Sequence, residues 1–290
     1  MISWVFSMQG VGVFLSTVSV FVLLQFHSIS MDTIWRIAIF LGCLPTAVVI
    51  YFRAQMNETA EYTAARWDTE KIGFGEHMRN VWGTVKNYWR PLIGTTMTWL
   101  LLDITFYGTG SFKSQIAPLL WPTSWEEEEL HKNDERWKIQ HQTVTAMLIA
   151  GVAIPGYICS IIFIDRIGHK NLQLFGFMAM ATCFILSSLK TITLGLGPFV
   201  GVVLFALTFF FSNFGPNTTT YVIPATCYPT LVRATCHGLS AAAGKIGAVI
   251  GAAGFSPIYD AYGLPFVLQL CSLVCLSGAL VTYFFTGSGK

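Results

Sequence analysis

The stretch HGLSAAAGKIGAVIGAAGF, His237–Phe255, decides the fold. It is 19 residues of small and apolar side chains broken by a single lysine, Lys245. An apolar run of 18 or more residues is long enough to cross about 30 Å of hydrocarbon as a helix. Its Ala241, Ala242, Ala243, Gly244, Gly247 and Gly251 suit close helix–helix approach. Reading outward on the same criterion finds eight such stretches, over about 2–25, 33–53, 92–114, 142–164, 171–191, 198–222, 237–257 and 263–286.

Composition agrees. Of 290 residues, 53% are hydrophobic and only 11% charged, against roughly 25% in soluble domains. Such a chain would expose far too much apolar surface in water, which excludes a soluble enzyme. The net charge of +2 gives no bulk attraction to nucleic acid. The first residues, MISWVFSMQG, lack a basic leader and a small-residue cleavage site, so they read as a spanning helix and not as a signal peptide. The seven cysteines form no CxxC pair and read as small core residues.

An even number of spans puts both termini on one side. Arg53, Arg66, Lys71, Arg79, Lys86, Arg90, Arg166, Lys170, Arg233 and Lys290 fall on that side, against Lys132, Arg136, Lys138 and Lys190 on the other. The bias of basic residues toward the cytoplasm places both termini and the 54–91 loop there. Within that loop GEHMRNVWGTVKNYW, 75–89, predicts a short amphipathic interfacial helix. The acidic run Glu126–Glu129 reads as a solvated outer loop and not as a metal site. The sequons at Asn57 and Asn217 lie where glycosylation does not reach. The glycine pairs Gly10/Gly12, Gly108/Gly110 and Gly195/Gly197 lack the strand context of a nucleotide fold.

Ionisable groups inside spans cost about 2.5–3.5 kcal/mol each at a helix centre, so each marks a functional position by default. Asp103 is the one acid deep in a span, in TTMTWLLLDITFYG, 95–108. Trp99, Asp103 and Tyr107 recur at i, i+4 and i+8 and form one stripe that must face protein or water. Lys245 is the complementary cation, expected to be buried and to need a counter-charge, a bound anion or a wet cavity. In FFFSNFGPNTTTYVIPA, 209–225, Gly215 and Pro216 interrupt a span between Asn213 and Asn217, with Pro216 expected to free the Ser212 carbonyl. Interrupted helices lining a cavity are a feature of transporter sites. An ammonium, amides, an indole N–H and a phenol beside one carboxyl suit a tetrahedral oxyanion, with the carboxyl able to carry a proton. A neutral sugar would leave Lys245 without a role.

Several of these stretches together resemble the fungal and plant phosphate:proton symporters of the major facilitator superfamily. They are DTIWRIAIFLGCLPTAVVIYFR (32–53), TTMTWLLLDITFYG, PGYICSIIFIDRIGHKNLQLFGF (155–177), LTFFFSNFGPNTTTYVIPA (207–225) and RATCHGLSAAAGKIGAVIGA (233–252). The spacing of FGPN to the lysine of GK, 28 residues from Asn217 to Lys245, is the most specific element. The resemblance implies an all-α major-facilitator bundle of which this chain matches the fifth to the twelfth helix and lacks the first four. Residues 1–53 are then the last two helices of the N-terminal bundle, 54–91 the central cytoplasmic loop and 92–290 the C-terminal six-helix bundle.

It also implies proton-coupled phosphate transport by alternating access, with no cofactor and with the plasma membrane as location. Gln9, Trp99, Asp103, Tyr107, Asn217 and Lys245 fall on the phosphate site, Asp103 on proton coupling, and Asp165, Arg166, Gly168 and Arg233 on gating motifs. Gln9 is singled out by the resemblance alone. The chain departs from the family's cytoplasmic motifs at Asn57–Glu61, at Asp165–His169 and at Pro224–Ala234. Two alternatives stand beside this reading: carriage of a sugar or organic ion on the same scaffold, and a non-transporting phosphate sensor or remnant that associates with a full-length transporter.

Overall fold

A computed structural model describes residues 1–60, 62–64, 73–110, 131, 133–189 and 198–287. The Glu126–Glu129 run, Glu61, and the far ends of the expected 92–114 and 171–191 spans lie outside these residues. The elements are α1 (Ile2–Leu24), α2 (Met31–Ala54), α3 (Phe74–Asn87), α4 (Trp89–Gly110), α5 (Glu135–Ile167), α6 (His169–Leu189), α7 (Pro198–Asn213), α8 (Pro216–Thr226) and α9 (Thr230–Phe285). The described residues contain no strand. Five of the helices, α1, α2, α5, α6 and α9, are long and apolar enough to cross a membrane.

Local sequence sets the ends. Ser30 caps α2, its side chain accepting from the Thr33 amide, and Asp134 caps α5 through the Trp137 amide. Between α5 and α6 the chain turns at Gly168, whose φ of 84° favours glycine. The continuous α9 is two arms: at Gly263 the backbone leaves helical geometry, with φ 77° and ψ 173°, just before Pro265. The sequence separates these spans at the same place.

Packing runs through small residues. The most extensive interface joins α4 to α9, whose first arm runs beside α4 and parallel to it. A Cβ on Gly247 would fall on the Leu100 carbonyl, and one on Gly251 on the Ile104 carbonyl. The two backbones therefore touch, as small-residue stripes permit. Ser240 donates to Thr95 at 2.8 Å, which fixes the register. The second arm of α9 packs antiparallel on α6: Ser272 donates to the Ala181 carbonyl and Gln173 to Thr282. Around them Leu102, Phe177, Phe184, Phe255, Cys271 and Cys275 form the largest core cluster.

The predicted amphipathic helix is present as α3. Val81, Val85 and Tyr88, at i, i+4 and i+7, pack on Tyr228, Val232 and Cys236. The cysteine expectation needs one correction, because Cys43 is exposed. It sits on α2, where Ile34 is the one buried residue.

Candidate functional site

The helix break is where the site begins. Gly215 lies so close to α6 that a Cβ would be 2.6 Å from the Gly176 Cα, so both positions require glycine for approach. The Ser212 carbonyl is not left free as the sequence suggests. It accepts from the Gly215 amide at 3.2 Å, because the chain tightens by one residue before Pro216 restarts the helix. The Asn213 carbonyl is held instead by side chains, Ser160 Oγ at 2.9 Å and Thr218 Oγ1 at 2.7 Å. Asn213 and Asn217 are thereby fixed on either side of a rigid break.

Their amides enter a network with two other helices. Asn217 Nδ2 donates to Asn213 Oδ1 at 2.8 Å and to the Tyr157 hydroxyl at 2.9 Å. Tyr157 donates to Gln9 Oε1 at 3.1 Å, which Asn217 Nδ2 also approaches at 3.5 Å. Tyr157 was missed in the sequence: an aromatic within an apolar span carries no signal that separates it from core. Gly10 is its local explanation, since the Tyr157 ring occupies the space that a Cβ there would need.

A cavity of about 230 Å³ adjoins this network, between α1, α4, α5 and α7. Gln9, Tyr107, Tyr157 and Asn213 supply its polar lining, and Val13, Phe106, Ile149 and Phe209 much of the apolar remainder. Trp99, Asp103, Asn217 and Lys245 do not line it directly.

Those residues approach from the α4–α9 seam. Asp103 is 3% exposed and its Oδ2 has no hydrogen-bond partner among the described residues. Gly244 makes room for it: a Cβ there would lie 2.9 Å from Asp103 Oδ2 and 2.7 Å from Trp99 Nε1. Trp99 meets Tyr221 and His237 edge to face, with centroids 6.3 and 5.6 Å apart. Tyr107, one turn beyond Asp103, is 37% exposed. The expectation for Lys245 is corrected, because the side chain is exposed and not buried. Its Nζ donates to the Tyr107 hydroxyl at 3.3 Å and lies 5.0 Å over that ring. Position explains this. Gly244 takes the place facing α4, so the next residue points past the helix flank toward Tyr107.

Thus the structure groups Gln9 with Asn217, Trp99 with Asp103, and Tyr107 with Lys245, around one region where α1, α4, α5, α8 and α9 converge. The residues that the resemblance assigns to gating motifs stand apart. Asp165 and Arg166 are exposed at the end of α5, Gly168 makes the turn, and Arg233 Nε donates to the Tyr228 carbonyl at 3.1 Å. Among the described residues, none of them forms an ion pair with another.

The described residues form helices alone, with polar side chains from separate helices meeting beside a central break, and their arrangement is the major facilitator fold. The solved proton:xylose symporter XylE bound to 6-bromo-6-deoxy-D-glucose has this fold: its TM-score is 0.70 at 12% identity, over 99% of this chain and 65% of that one. The chain belongs to the sugar (and other) transporter family, which it matches over residues 132–288. It is 34% identical to a probable inorganic phosphate transporter 1-6 of Arabidopsis thaliana, over 97% of this chain and 63% of the relative. It is 36% identical to inorganic phosphate transporter 1-6 of Oryza sativa subsp. japonica (77% and 46%), and 33% to low affinity inorganic phosphate transporter 8 of Medicago truncatula (87% and 56%). The chain spans about half to three-fifths of the length of these curated relatives. It is a multi-pass membrane protein of a family of transporters, not of enzymes.

Proposed function

We propose that the chain serves proton-coupled transport of inorganic phosphate, with Gln9, Trp99, Asp103, Tyr107, Asn217 and Lys245 as the anion site. The observation that carries this is the balance of groups at the convergence: a lysine ammonium, an amide of Gln9 steadied by Tyr157 and Asn217, an indole N–H and the Tyr107 phenol beside one buried carboxyl whose Oδ2 has no partner among the described residues. Donors of this kind match a tetrahedral oxyanion, and charge-assisted bonds to it are the stronger class. Asp103 is the group that takes up and releases the proton. A protonated carboxyl can share a hydrogen bond with a phosphate oxygen, and an ionised one would repel it. The names of the curated relatives support phosphate over a sugar.

In this reading residues 1–53 belong to the N-terminal bundle and 92–290 form the C-terminal one, joined by the 54–91 loop. Rocking of the two bundles about the site gives alternating access. The termini are cytoplasmic and the membrane is the plasma membrane. Titration of the purified protein in lipid nanodiscs tests the site: phosphate should bind and be displaced by arsenate but not by glucose. Displacement by glucose and not by arsenate would overturn the assignment.

A further inference from the structure

The hydrogen-bond chain through Tyr157 has a direction. The Ala153 carbonyl can only accept, and Asn213 Nδ2 donates to it at 3.2 Å. That fixes Asn213 with Oδ1 toward Asn217, whose Nδ2 donates to it. The same Nδ2 faces the Tyr157 oxygen, which must then accept and send its own proton onward to Gln9 Oε1. With Asn217 Nδ2 also near Gln9 Oε1, rotating the Gln9 amide by half a turn would set donor against donor. The stable orientation therefore turns Gln9 Nε2 away from Tyr157, on a side chain that lines the cavity.

We propose that Tyr157 is a positioning residue: its hydroxyl fixes the Gln9 carboxamide so that the cavity is offered an N–H donor, which suits an oxyanion, and not a carbonyl acceptor. This rests on the phosphate reading of the site. Tyr157 is well built for the role. It is 3% exposed, its ring fills the space beside Gly10, and it meets Phe6 edge to face at 6.1 Å. Hydrogen bonds in series polarise one another, so the run from Asn217 through Tyr157 to Gln9 also strengthens the terminal N–H as a donor.

A double-mutant cycle tests the assignment, using the full chain in nanodiscs and calorimetric titration with inorganic phosphate. Tyr157→Phe keeps the ring and removes the relay, and should weaken phosphate binding by about three- to tenfold, the worth of one neutral hydrogen bond. In a Gln9→Met background the same change should cost nothing further, because there is no amide left to orient. An equal loss in both backgrounds would overturn the proposal, assigning Tyr157 a general packing role. Gln9→Glu tests the orientation without altering Tyr157: it keeps an acceptor for Tyr157 and Asn217 but presents oxygen to the anion. It should lower phosphate affinity more than tenfold, and wild-type affinity in that variant would contradict the proposal. Absence of phosphate binding in the unsubstituted chain would instead bring down the underlying site reading.

Discussion

Lys245 shows how far a residue's chemistry can be read before its surroundings are known. The sequence marks it as a cation within an apolar run, and that alone selects it. Its exposure was not legible, because which face of a helix meets a neighbour depends on Gly244 approaching Trp99 and Asp103, a contact 141 to 145 residues apart in the chain. Since the ammonium is exposed, replacing it should not weaken the fold. Lys245→Gln is expected to lower phosphate affinity by about tenfold or more, as loss of a charge-assisted bond does, with an unchanged melting temperature. Titration and a thermal melt on the same sample check both halves. Asp103 was equally legible as a lone acid, whereas the unpartnered Oδ2 was not, since only packing shows which donors fail to reach it. Tyr157 left no trace in the sequence at all, because its role comes from partners on α1 and α8.

At the scale of elements, the Gly215–Pro216 break follows from proline chemistry and is present, whereas of the eight expected spans the described residues show five helices long and apolar enough to cross a membrane, one of them the two arms of α9. What the sequence could not show is how the break is satisfied. The Asn213 carbonyl has two hydroxyl donors, so Ser160→Ala should be mild and Ser160→Ala with Thr218→Ala should cost about 1–3 kcal/mol, the penalty of an orphaned buried acceptor. Thermal unfolding of the single and double variants measures the difference. The α4–α9 seam makes a second prediction. Gly247→Ala would drive a methyl into the Leu100 carbonyl and force the helices apart, at about 1–3 kcal/mol, while Gly254→Ala has open space and should be neutral. A melting temperature lowered equally by both would refute the backbone contact.

For the whole molecule, α1 is joined to the rest at two heights. Near its middle Gln9 and Gly10 meet Tyr157, and at its end Arg136 on α5 donates to the carbonyls of Leu24, Phe26 and Ile29. A guanidinium fits such a cluster because it carries several donors and the carbonyl end of a helix is negative. Arg136→Ala is expected to broaden the distance distribution between spin labels at His27 and Glu135, while leaving the Tyr157 network and phosphate affinity in place. Hydropathy assigned Arg136 only to a connecting loop, since a side chain that caps a distant helix looks no different in sequence from a solvated one. Membrane-spanning helices were legible because the bilayer imposes a length on each, the fold came from the family resemblance, and the convergence of the site was legible only in its parts.

In the proposed function phosphate and a proton are coupled through Asp103. Labelled-phosphate uptake into proteoliposomes under an imposed pH gradient measures that coupling directly. Uptake that rises when the outside is acidic and is abolished by Asp103→Asn is the predicted result; uptake indifferent to both the gradient and the substitution would contradict it.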